Sequence, residues 1–188
     1  MLQTKALPRT RYDYEGMPQG PPYYQVIEGD LVMSPSPNTN HQAVASEIHI
    51  LLGQFVRKRG LGRVFFAPLD VFLTEINVYQ PYIIFVSNQR RSIVTDHGLE
   101  GAPDLAVEIL SPGTADYDKG PKRKIYARTG VQELWLVDVE AKLIHVYHLP
   151  KNAEIPAATY GEKAVFSSPL FPGLRIKAAD IFRQALGK

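Results

Sequence analysis

Glu108 stands near the end of the run Pro103-Asp104-Leu105-Ala106-Val107-Glu108-Ile109-Leu110, whose body is otherwise almost continuously apolar. Such a run reads as a central strand covered on both faces. A carboxylate there loses hydration that only a cation or strong hydrogen bonds can replace. A metal ion would do so, and so would a lysine. Lys122 arrives one connection later, with Tyr126 four residues beyond it and therefore on the same face of a helix. The same spacing also fits a plain structural ion pair of Glu108 with Lys122 or Arg123, and the residues alone leave both readings open. Asp104 precedes Glu108 by four strand positions and faces the same side, but roughly 13 Å of strand separates them. The two cannot chelate one ion, and Asp104, following Pro103 at the strand entry, reads as a turn or amide anchor.

These side chains need elements to hold them. Tyr24-Gln25-Val26-Ile27 and Leu31-Val32-Met33 flank Glu28-Gly29-Asp30, a β-hairpin pattern. Asn38, Thr39 or Asn40 can cap a helix in which Val44, Ile48, Leu51, Leu52 and Phe55 recur at helical spacing until Arg59-Gly60. Short apolar and aromatic runs at 64–66, 71–73 and 82–86 predict strands. A second helix is expected from about Lys119 to Thr129, with Pro121 in its first turn and Gly130 as a left-handed stop. Strands at 134–138 and 143–147 follow, then a turn-like stretch over 150–163, a short strand at 164–166 and a terminal helix from Ala178 to Leu186. Residues 1–22, rich in Pro and Gly with Tyr12 and Tyr14, read as an extended arm docked by its tyrosines, and 23–188 as a single α/β domain.

Composition narrows the classes of function. The chain has 188 residues, 45% of them hydrophobic, which suits one substantial core. It contains no cysteine, so disulfides, thiolate metal sites and a thiol nucleophile are excluded, and a cytoplasmic location is expected. No stretch approaches the roughly 20 apolar residues of a membrane span, so no membrane partner is expected. Lys and Arg number 21 against 19 Asp and Glu, a net charge of +2 that is too small to announce nucleic-acid binding from bulk charge. Local clusters must carry any such role. One is Arg57, Lys58 and Arg59; the other is Lys119, Lys122, Arg123, Lys124 and Arg128. Each is either a solvated face or, if folded beside Glu108, a surface for a phosphate backbone.

Several spacings agree at once with a known family. The segment from Gly101 through Pro103, Asp104, Glu108, Ser111-Pro112-Gly113 and Thr114, then Asp118, Lys122, Tyr126, Gly130-Val131, Glu133-Leu134-Trp135 and Asp138, resembles the central signature of the Uma-type endonuclease family. Ile27-Glu28-Gly29-Asp30 through Pro37, His41, and Leu61-Gly62-Arg63-Val64 are similar to its N-terminal half. The resemblance covers roughly residues 23–148. It implies a restriction endonuclease-like (PD-(D/E)XK) α+β fold, a mixed central sheet flanked by helices. It also implies phosphodiester hydrolysis dependent on Mg or Mn, with nucleic acid, DNA ahead of RNA, as partner. Glu108 would be a metal ligand and Lys122, displaced from its usual place two residues after the Glu to the following helix, the cation of the site. Leu110 occupies that usual place.

Two positions depart from the pattern. Where the family carries an Asp after Gln-Pro, this chain has Tyr82 after Gln80-Pro81, and the hairpin acid is Gln25. A phenol of ordinary pKa near 10 is a poor magnesium ligand. The resemblance therefore implies either an impaired nuclease or one in which Asp70, Glu28 or Asp104 supplies the missing carboxylate. Asp104 and Tyr126 complete the candidate catalytic set beside Glu108 and Lys122, with Asp70 as the second candidate metal ligand. The competing class is a non-catalytic nucleic-acid-binding or interaction module, and a third is an oligomerising protein without a site. Apolar and aromatic strands near the chain ends would support a homodimer. His41 reads as a cap neighbour or a ligand, while His145 and His148 lack ligand spacing.

Overall fold

The computed structural model describes residues 9–183 apart from Gln19, Pro35, Pro112 and Thr114. Within the segment read as an extended arm, α1 (Arg11–Glu15) is one turn of helix, capped by the Thr10 side chain accepting from the Asp13 amide. The expected hairpin follows as β1 (Tyr24–Ile27) and β2 (Asp30–Met33). Its two-residue turn has positive φ at both Glu28 (49°) and Gly29 (85°), the handedness that matches the twist of the strands it joins. The first long helix, α2 (Thr39–Arg59), begins where the Asn38 side chain accepts from the His41 amide at 2.9 Å and ends at Gly60, φ 61°.

β3 (Gly62–Phe66), β4 (Val71–Thr74), β5 (Asn77–Tyr79) and β6 (Ile83–Ser87) come next. After a 3-10 turn at Asn88–Ile93, β7 (Leu105–Ile109) is buried along its whole length, as its apolar run requires. The helical segment behind it starts earlier and is wound less evenly than expected. It comprises α3 (Ala115–Tyr117), a π-helical turn at Asp118–Lys122 and α4 (Arg123–Thr129), closed by Gly130 at φ 98°. Pro121 lies inside the π turn, where its missing N–H weakens the α-helical ladder. β8 (Glu133–Asp138) and β9 (Leu143–His148) follow, then β10 (Ala158–Gly161), β11 (Val165–Phe166), β12 (Ile176–Lys177) and α5 (Ala178–Phe182). β10 corrects the turn-like reading of 150–163. Ala158 to Gly161 pair antiparallel with Val146 to Leu143, a long-range partner that local composition does not encode. The expected extension of α5 to Leu186 lies outside the described residues.

Six strands form the central sheet in the order β10-β9-β8-β7-β6-β3. β7 and β8 are parallel and every other pair is antiparallel, so the sheet is mixed as expected. One face carries Val107, Ile109, Trp135 and Val137 against Val44, Ile48 and Leu52 of α2 and Ile181 and Phe182 of α5. The other carries Ala106, Leu134 and Leu136 against Ile125 and Tyr126 of α4, with Ile27 and Tyr79 from a second sheet of order β2-β1-β5-β4. Helices thus flank both faces, and Glu108 falls on the α4 side. Among the described residues no helix is long and apolar enough to cross a membrane.

Candidate active site

Glu108, Lys122 and Tyr126 meet. Glu108 and Lys122 are each 2% exposed and Tyr126 is fully buried. The Lys122 ammonium contacts Glu108 Oε1, and the Tyr126 hydroxyl donates to the same oxygen at 2.6 Å. The helical segment between β7 and α4 adds a residue that sequence reasoning gave no role. Asp118 Oδ1 lies 2.9 Å from Lys122 Nζ, and Asp118 is also buried. Asp118 and Lys122, four residues apart in the helical segment, share the face that meets Glu108. Tyr79 closes the far side, its ring 5.4 Å from Lys122 Nζ and edge-on to Tyr126 at 5.4 Å.

Burial dominates the electrostatics. It pushes the Glu108 carboxyl up to about 7; the Asp118 charge adds to the rise, while Lys122 and the Tyr126 hydroxyl oppose it. Burial also works against the Lys122 ammonium, but Asp118 and Glu108 outweigh it and hold Lys122 protonated. With both acids ionised, two carboxylates and one ammonium leave a net charge of −1.

The cluster opens onto a cavity of about 430 Å³ whose lining includes Gln25, Gln80, Tyr82, Glu108, Asp118 and Lys122. Tyr82, on the bend just before β6, shares the cavity lining with Glu108. Its phenol is pushed up to about 12, chiefly by burial and then by the Glu108 charge, so it is neutral at physiological pH. His41 of α2 meets the Tyr82 ring edge-on at 6.5 Å. Gln25, the second neutral departure, accepts from the Gln80 amide at 3.1 Å and donates to Ser34 Oγ at 3.0 Å.

The remaining sequence candidates sit elsewhere. Asp104 is buried at the opposite end of β7, where it accepts from the Ser87 amide at 2.6 Å and lies 3.4 Å from Arg90 Nε. Asp70 accepts from Tyr14 and Gln80, both at 2.8 Å, and lines a neighbouring cavity with Tyr14 and His97. Arg123 pairs with Glu154 at 2.7 Å instead of with Glu108. His148, given no role from the sequence, lies 3.2 Å from Glu133 Oε1, while Trp135 and Ser168 donate to the other oxygen of that buried carboxylate.

Among the described residues, no group of three or more His, Cys, Asp or Glu side chains converges in metal-ligating geometry. Magnesium, however, is commonly held by one or two carboxylates, the rest of its shell being water and substrate phosphate. Glu108 and Asp118, which converge on Lys122 at the cavity, are the two carboxylates that would hold such an ion.

A solved structure of similar fold is that of a "putative nuclease" of DUF820 from Anabaena variabilis ATCC 29413, 22% identical, with a TM-score of 0.78 over 95% of this chain and 100% of that one. No curated protein matches the sequence. The model of the Uma2 family, described as "Putative restriction endonuclease", matches residues 11–179. Its span takes in the six-stranded and four-stranded sheets, the cavity and the buried cluster, and this chain therefore belongs to the Uma2 family.

Proposed function

We propose that the protein hydrolyses phosphodiester bonds of nucleic acid at the Glu108–Asp118–Lys122 cluster, with magnesium or manganese. The observation that carries this reading is the convergence of two buried carboxylates on one ammonium at the floor of an open cavity. With both acids ionised the cluster, at −1, repels a phosphodiester, and one divalent cation held by Glu108 and Asp118 would reverse that sign. Bound there, the metal supplies a Lewis acid and a water of lowered pKa. Lys122 brings a permanent positive charge to the developing oxyanion. Tyr126 fixes Glu108 by its hydrogen bond, and Tyr79 keeps water from the back of Lys122. The neutral Tyr82 phenol at the cavity wall is a hydrogen-bond donor, not a ligand.

A second reading, nucleic-acid binding without cleavage, draws on the neutrality of both Tyr82 and Gln25 and on Lys122 already compensating the two acids. The test is cleavage of supercoiled plasmid and of labelled oligonucleotides with Mg²⁺, Mn²⁺ or EDTA, for wild type, Glu108→Gln and Lys122→Met. Metal-dependent cleavage reduced at least about 100-fold in Glu108→Gln, with circular dichroism unchanged, is the expected result. Oligonucleotide binding with no cleavage by wild type under either metal would remove the hydrolytic reading and leave the second.

A further inference from the structure

β3 is an edge strand of the central sheet, and around its first residues lie cations that the cluster does not use. Arg57 and Lys58 end α2, Arg63 is on β3, and Arg91 is on the 3-10 turn after β6; all four are exposed. None of them makes an ion pair among the described residues. Two crevices share Gly62 and Arg63, one reaching Arg57 and Lys58 and the other Arg91 and Ser87, and no acid lines either. The Ser87 hydroxyl has no hydrogen-bond partner among the described residues.

The same strand leads to the cavity. Phe66, roughly 10 Å beyond Arg63 along β3 and on its opposite face, the one toward α2 and the Arg57–Lys58 end of that helix, lines the cavity that holds Glu108. It is 61% exposed, and its ring lies 4.8 Å from that of His49 on α2. An exposed aromatic at the end of a cationic track, next to a buried acid, is the arrangement that grips a single nucleic-acid strand: cations follow the phosphates and the ring stacks a base. A duplex fits poorly. Glu108 is 2% exposed in a cavity the size of a small-molecule site, which a splayed strand can enter and a rigid paired helix cannot.

We infer that the substrate is a single strand, or a locally unpaired one, lying along β3 from Arg57, Lys58, Arg63 and Arg91 to a base stacked on Phe66. This rests on the proposed hydrolytic site for its polarity, but the surface itself is tested by binding alone. Fluorescence anisotropy in EDTA would follow the full chain with a mixed-sequence DNA 20-mer, the RNA of the same sequence, and the DNA duplex. The expected result is that at least one single strand binds 10-fold or more tighter than the duplex; the tighter of the two identifies the sugar. Arg57→Glu with Arg63→Glu should weaken binding at least 10-fold and flatten the log K against log salt slope by about 1.4, two cations at about 0.7 each. Phe66→Ala should weaken it about 5- to 100-fold with the slope unchanged.

Equal or tighter duplex binding would overturn the inference, and so would affinity indifferent to both variants. A wild-type dimer that Arg63→Glu dissociates, without oligonucleotide affinity, would assign the β3 edge to a second copy instead. Single-strand binding with these dependences but no cleavage under metal would leave this surface standing while removing the hydrolytic reading.

Discussion

Replacing Lys122 with Met removes the ammonium while keeping most of its stem volume, and so isolates the charge. The side chains of Lys122, Glu108 and Asp118 are 3%, 3% and 4% exposed, so neither acid can recover its hydration when the cation goes. Removing one partner of a buried ion pair costs about 3–5 kcal/mol. For a chain of this length, each kcal/mol moves Tm by about 2–4 °C, so a fall of about 6–20 °C is expected at pH 8. The pH dependence follows from Glu108. Its carboxyl stands at about 7 in the folded protein against 4.5, so between those values the folded chain holds a proton that the unfolded chain has released. Its contribution to stability is therefore present below pH 4.5 and is lost as pH rises through about 7. Without Lys122 the carboxyl rises further, which makes the penalty smaller at pH 5 than at pH 8. Manganese should restore part of the loss, about 2.7 kcal/mol at one hundred times its Kd, and should raise the variant's Tm more than that of wild type. Differential scanning calorimetry at both pH values, with and without metal, is the assay. A variant within about 2 °C of wild type at pH 8 in EDTA would show that Lys122 does not compensate these acids.

Tyr126→Phe deletes the 2.6 Å hydrogen bond to Glu108, and urea denaturation should show a loss of about 1.5–3 kcal/mol, the range for bonds to charged groups. Tyr82→Asp adds a carboxylate to the cavity that Glu108 lines, so calorimetric titration should find tighter manganese binding than in wild type and a return to weak binding when Glu108→Ala is added. Unchanged binding in both would remove Tyr82 from the ligand position. Gly62→Ala puts a Cβ 2.1 Å from the Val86 carbonyl oxygen at φ 156°, so β3 must shift, and a loss of more than about 1 kcal/mol is expected in the same denaturation assay.

Local pattern in the sequence was enough for Glu108, Lys122 and Tyr126. An acid in an apolar strand demands a compensating group, and the next helix offers a lysine and a tyrosine four residues apart, spacings fixed by strand and helix geometry before any tertiary contact forms. The hairpin turn at Glu28-Gly29, the Asn38 cap and the Gly130 stop were legible for the same reason, since each depends on the φ or hydrogen bonding of neighbouring residues. Asp118 was not legible as a partner, because the sequence places the start of the helix at about Lys119, whereas it begins at Ala115 and so brings Asp118, four residues before Lys122, onto the same face. Tertiary structure alone decided which distant acid came near: Asp118 joined Glu108, whereas Asp70 was held by Tyr14 and Gln80, and Asp104 by the Ser87 amide at the far end of β7. Strand pairing has the same character. β10 exists because β9 offers it a ladder, and Arg57, Arg63 and Arg91 share one edge because β3 pairs with β6 in a register that no short window of sequence contains.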